Sequence, residues 1–197
     1  MKKFIIIAYV LNMFCLCLYG HKPSPTLELK SSYFLFTQEP LSKVYNHGGF
    51  EESLSGSFPV WKWLNVYTSI GIAHVNGKSL NSCEKTSLLL VPLDLGLKIV
   101  FPLFKKLDYH IGFGGRYAYL HQHNDSLFID KNVHQHCGGF FVNSDLNFFA
   151  TRRWLIGIFG EYAYIKTSIK SCKPNVFGLP CLRLDNAAVG ISVGYAF

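Results

Sequence analysis

Residues 187 to 197 read Ala-Ala-Val-Gly-Ile-Ser-Val-Gly-Tyr-Ala-Phe. Taken with a period of two, Val189, Ile191, Val193, Tyr195 and Phe197 fall on one side, while Gly190, Ser192, Gly194 and Ala196 fall on the other. A soluble strand turns its bulky apolar side toward a protein core. Here the small side is the one suited to a crowded interior, so the bulky side is expected to face lipid, as in a strand that crosses a membrane as part of a closed sheet.

The same period organises the rest of the chain. The most apolar internal stretch, Ser87 to Phe104, contains Pro92, Asp94, Lys98 and Pro102 and would make a poor lipid-exposed helix. As a strand it resolves into an apolar face of Val91, Leu93, Leu95, Leu97, Ile99 and Phe101, with Pro92, Asp94, Gly96, Lys98 and Val100 opposite. Alternation predicts strands over 26–37, 49–60, 64–75, 87–101, 108–120, 136–149, 154–167 and 186–197. The connections alternate between short (61–63, 102–107, 150–153) and long (38–48, 76–86, 121–135, 168–185). The expected fold is all-β: an eight-stranded antiparallel up-and-down transmembrane β-barrel with short periplasmic turns and long extracellular loops. Trp61, Trp63, Phe101, Phe104, Trp154 and Phe197 gather at the short turns, and Tyr117, Tyr119, Tyr162 and Tyr164 approach the long loops, as two interfacial girdles would.

Lys2 and Lys3 precede an apolar run from Phe4 to Leu18, and Gly20 precedes the polar stretch that begins at His21. This reads as a cleaved signal peptide over 1–20 followed by a barrel domain over 21–197. The net charge of +7 is a modest excess that gives little support to nucleic-acid binding and suits anionic headgroups better. Beyond the signal peptide, Cys83, Cys137, Cys172 and Cys181 allow three pairings in an oxidising compartment. Cys172 with Cys181 closes a short loop and leaves Cys83 with Cys137 as the companion pair.

On the strand pattern, the signal segment and the Gly194-Tyr195-Ala196-Phe197 ending, the chain resembles the small eight-stranded outer-membrane barrels of the OmpA transmembrane-domain, OmpX and OmpW kind. The resemblance implies a monomer in the outer membrane of a Gram-negative-type bacterium, surrounded by lipid and lipopolysaccharide. It also implies that Tyr195 and Phe197 serve as the signal read by the barrel-assembly machinery.

Parity places Glu28, Lys30, Asp94, Lys98, Arg116, Asp145 and Glu161 on the inward face. Eight strands enclose a lumen about wide enough for side chains to fill, and isolated charges there cost several kcal/mol each, so a paired network plugging the barrel is expected rather than an open pore. His121-Gln122-His123 and His134-Gln135-His136 flank the third long loop. A hairpin centred between Phe128 and Ile129 would set His121 against His136 and His123 against His134, close enough for a zinc, copper or nickel ion to be held. Otherwise no cofactor is expected. A lipid-A-modifying site built on His123 with Ser126, or His121 with Asp125, lacks a base-orienting partner and oxyanion donors, so the chain is not read as an enzyme. The expected role is structural or surface-presenting, adhesin-like, with the loops offered to a host or surface ligand. A narrow channel for ions or small solutes is the alternative.

Overall fold

The structure is a computed structural model, and it describes residues 24–45, 47–78, 84–125, 132–167 and 183–197. Among them, eight strands run β1 (Thr26–Phe36), β2 (Gly49–Trp61), β3 (Leu64–Lys78), β4 (Lys85–Phe104), β5 (Leu107–Asn124), β6 (Asn132–Phe149), β7 (Trp154–Thr167) and β8 (Asn186–Ala196), with a short helix α1 (Glu39–Val44) between β1 and β2. Each strand pairs antiparallel with its sequence neighbour, and β1 pairs with β8 from Thr26↔Ala196 to Phe36↔Asn186, so the sheet closes into a barrel without an edge. The expected fold is therefore the observed one. The signal segment, Cys83, Cys172, Cys181, Ser126 and the loop tips around residues 127–129 and 176–180 lie outside the described residues.

The strands differ in length. β4 has 20 residues and β5 and β6 have 18 each, whereas β1 and β8 have 11. At about 3.3 Å per residue and a tilt of about 40°, 18 residues climb about 45 Å and 11 climb about 28 Å, against an apolar band about 25 Å tall. The excess lies at the long-loop end, where residues 121–124 and 132–135, expected as loop, continue the β5–β6 ladder. At the other end the expected 102–107 connection contracts to Lys105–Lys106. Register shifts fall between Pro59 and Trp61 and between Pro102 and Phe104. Each break includes or adjoins a proline, which has no N–H to give the ladder.

The outward face is apolar where it crosses the band. Leu29, Leu95, Ile158, Val189 and Ile191 are each about 60 % exposed. Trp61, Phe104, Trp154 and Phe197 are exposed beside the short turns, and all three turns carry exposed cations: Lys62, Lys105 with Lys106, and Arg152 with Arg153. Glu52 breaks the pattern, facing outward between Phe50 and Leu54, where its carboxylate accepts a hydrogen bond from Ser31 Oγ at 2.6 Å.

The interior is layered. Phe149, Leu155 and Ala196 close the short-turn end. Above them lies a polar layer carrying the ionised side chains. Above that, Phe34, Phe36, Leu88, Leu90, Leu120 and Ile165 fill the long-loop half with apolar side chains. α1 seats Leu41 and Tyr45 on this upper layer. Pro40 occupies its first turn, Glu39 and Lys43 pair at 2.7 Å one turn apart, and Gly48, with φ of 61°, takes the left-handed conformation that returns the chain to β2. Burial pushes the Tyr45 phenol up, while the hydrogen bond from Lys43 holds the Glu39 carboxyl down.

Gly112 and Gly114 serve close packing, whereas a Cβ on Gly115 would meet open space. Gly96 and Gly114 pair directly, and a Cβ on Gly114 would stand 2.2 Å from the Leu95 carbonyl oxygen, closer than any real contact. Gly114→Ala is expected to force β4 and β5 apart and lower the fraction of chain reaching the compact, heat-modifiable form, as read by gel mobility without boiling. Phe34→Ala, which empties a site 1 % exposed, is expected to cost about 3–5 kcal/mol in urea unfolding of vesicle-inserted protein.

Candidate functional site: the lumen and the raised wall

All seven inward charges expected from parity face the lumen, with Lys98 wholly buried and Glu161 the most accessible. They form two groups. In the lower one, Asp145 on β6 receives Lys98 Nζ from β4 at 2.5 Å and Lys30 Nζ from β1 at 3.3 Å, and Glu28 stands 3.9 Å from Lys30. In the upper one, Arg116 Nε and Nη2 donate to the two oxygens of Asp94 at 2.6 and 2.7 Å, and Nη2 also donates to Glu161 Oε1 at 2.6 Å. Arg116 and Asp94 are direct cross-strand partners, which makes the fork-to-fork geometry available without strain.

Aromatic rings fill the space between these ions. Lys98 Nζ lies 4.3 Å from the Tyr67 ring centre and Lys30 Nζ 4.6 Å from that of Phe159, while Arg116 stacks over Phe141 at 5.7 Å. Tyr67 and Phe141 themselves meet at 5.7 Å. Each cation thus meets at least one carboxylate and a π face in the buried interior.

Some inward polar groups escaped the sequence reading. His110 is 6 % exposed inside the barrel, where Asn147 Nδ2 donates to its Nδ1 at 3.2 Å. The signal was present, since His110 shares parity with Arg116. Glu51 is buried inward while adjacent Glu52 faces out, and a pair of neighbouring glutamates leaves their sides undecided without the strand's exact phase. Cys137 is a buried thiol on the inward face of β6, opposite Ala118, and its expected partner Cys83 lies outside the described residues.

At the long-loop rim, Asp185 clasps three segments. Its carbonyl accepts from Thr37 N at 2.9 Å, and its carboxylate accepts from Gln38 Nε2 at 2.8 Å, Arg183 Nη2 at 2.5 Å and Ile165 N at 3.3 Å. At the opposite rim Tyr195 packs edge-on between Trp154 and Phe197, and Arg153 Nη1 donates to its hydroxyl at 2.9 Å.

The histidines lie on the outward face, as parity requires, but their register differs from expectation. His121 opposes His134, His136 opposes Tyr119, and His123 opposes Asn132. The hairpin is displaced by two residues, which keeps every side chain on its face while exchanging its partner. Tyr117 Oη lies 2.5 Å from His136 Nδ1, Tyr119 Oη lies 2.7 Å from His134 Nδ1, and His123 Nδ1 meets Asn132 Oδ1 at 2.7 Å. No three of His, Cys, Asp and Glu converge among the described residues, so the four histidines do not form one quartet. Asp125 stands 3.5 Å from His123 Nε2, and not beside His121 as the enzymatic reading had it.

A closed ring of eight antiparallel strands with a lipid-suited exterior and a filled lumen is the fold of the small outer-membrane β-barrels. Among solved structures, the chain is similar to Neisserial surface protein A, with 12% identity, a TM-score of 0.59, and coverage of 88% of this chain and 97% of that one. It is likewise similar to OprG from Pseudomonas aeruginosa (12% identity, TM-score 0.58, 90% and 98% covered). A third is the attachment invasion locus protein Ail of Yersinia pestis, solved with the heparin analogue sucrose octasulfate (11% identity, TM-score 0.54, 88% and 97% covered). No protein-family model and no curated protein sequence matches the chain.

Removing one member of the upper ion group leaves its partners charged and buried. Arg116→Met is expected to destabilise the barrel by about 3–5 kcal/mol, and replacing Arg116, Asp94 and Glu161 together by apolar residues of similar volume is expected to recover most of that loss. Urea titration followed by unboiled gel mobility measures both.

Proposed function

We propose that this protein is a plugged outer-membrane barrel whose role is to present its raised β4–β5–β6 wall and loops at the cell surface, as a structural or adhesin-like element. The observation that carries this reading is the occupied lumen beneath a wall that outgrows the apolar band. Ions shared among aromatic rings fill the middle, apolar side chains fill the upper half, and α1 covers them. A conducting pore needs the reverse, a continuous polar path.

The setting follows from the same surface. The apolar band suits lipid, and the cations of all three short turns suit phosphates of the leaflet below it, leaving the long-loop end to lipopolysaccharide and the exterior. Tyr195 and Phe197, displayed with Trp154 at the short-turn rim, are accessible to the assembly machinery that inserts such barrels. Ail, a neighbour of low identity, was solved with a heparin analogue, and sulfated surface sugars are the first ligand class to try here.

Purified protein in planar bilayers is expected to give no sustained single-channel current, while cells displaying it gain binding to sulfated glycan or matrix surfaces over vector controls. Steady unit conductance would replace this reading with that of a narrow channel. Asp185→Ala is expected to loosen the rim and raise protease cleavage of the first and fourth loops on intact cells, with the barrel's unboiled mobility kept.

A further inference from the structure

We propose that His121 and His134 form a two-histidine site for a divalent transition-metal ion of the zinc, copper or nickel type, on the outward face of the β5–β6 wall. The two residues are direct cross-strand partners, and their Nδ1 atoms stand 3.0 Å apart with the rings edge to face, centroids at 4.3 Å. Imidazole nitrogens bind zinc at about 2.0–2.1 Å, so two of them sharing an ion at an angle of about 90–110° lie about 2.8–3.4 Å apart. The observed separation is already that edge.

The contacts at His134 Nδ1 give the second argument. This nitrogen faces both His121 Nδ1 at 3.0 Å and Tyr119 Oη at 2.7 Å. A ring nitrogen carries either one proton or one lone pair, so only one of these contacts is a full hydrogen bond at any moment. A cation between the imidazoles takes a lone pair from each and removes the conflict, with the phenol oxygen beside it. Among the described residues, the ring and phenol atoms of His121, His134 and Tyr119 make a compact donor set on this face.

The flanking histidines are otherwise engaged. His136 is held by Tyr117, and His123 by Asn132 and Asp125. The site is thus a pair whose remaining positions belong to solvent or to a ligand group supplied from outside. Imidazole donors select the later first-row metals over magnesium or calcium. Because the pair lies on a ladder, away from the loop tips, the strand pairing itself sets the spacing of the two nitrogens.

The test uses the full-length protein, folded in detergent and free of any histidine tag, titrated with Cu(II) and followed by electron paramagnetic resonance, with Zn(II) calorimetry in parallel. The expected result is one saturable ion per chain with nitrogen hyperfine structure from two imidazoles. His121→Ala and His134→Ala are each expected to weaken binding at least about tenfold, and His123→Ala and His136→Ala to leave it within about threefold. Unboiled gel mobility verifies that each variant remains a folded barrel. Absence of saturable binding, unchanged affinity in His121→Ala and His134→Ala, or loss centred on His123 or His136 would overturn the assignment.

Discussion

Everything in this molecule depends on the pairing of β1 with β8. Eleven residues on each strand meet in unbroken register, and without that seam the sheet would expose two rows of backbone donors and acceptors to hydrocarbon. Closure also converts the sheet's inner face into a sealed volume. From then on, each inward side chain is chosen by what it meets across the lumen as much as by its own strand. The seam is reinforced at both ends: Phe197 N donates to the Pro25 carbonyl at 3.0 Å at the base, and Asp185 joins the start of the first loop to β7 at the rim.

Within that volume the protein separates two kinds of filling. Ionised groups sit where each cation reaches at least one carboxylate from another strand and an aromatic face, so their attraction does not rely on water. Arg116 and Asp94 mark the boundary, because the next inward pair along these strands, Pro92 with Ala118, carries no charge. Beyond it the upper half is packed like the core of a soluble protein, with α1 as its lid. Tyr45 ties that lid to the wall, its hydroxyl 3.4 Å from Thr86 Oγ1, which in turn donates to Asn124 at 2.8 Å.

The sequence made the facing of the side chains legible, because a period of two is a local property that survives errors elsewhere. It made cross-strand partners far less legible. The histidine hairpin shows why: a slip of two residues preserves every face, so parity could not distinguish His121 opposite His136 from His121 opposite His134. Strand ends were also hidden where the wall leaves lipid, since 121–124 and 132–135 are polar on their outward side and the apolar alternation that marked the strands stops there. In the upper half the opposite difficulty arises. Leu88, Leu89, Leu90 and Val91 are apolar on both faces, which erases the contrast and conceals a second, apolar filling. The six residues of α1 carry little helical signal of their own, and burial of Leu41 and Tyr45 holds them in place.

The unequal strand lengths have a further consequence. A barrel with strands of similar length ends in a level rim, but here the rim is stepped, low along β8 and β1 and high along β4 to β6. An object approaching along the membrane normal meets the top of the step first, whereas one gliding in the plane of the headgroups meets its outward flank, a vertical panel of tyrosines and histidines standing clear of the hydrocarbon. The step thus gives the barrel two differently oriented surfaces, one facing along the membrane normal and one facing across the membrane plane.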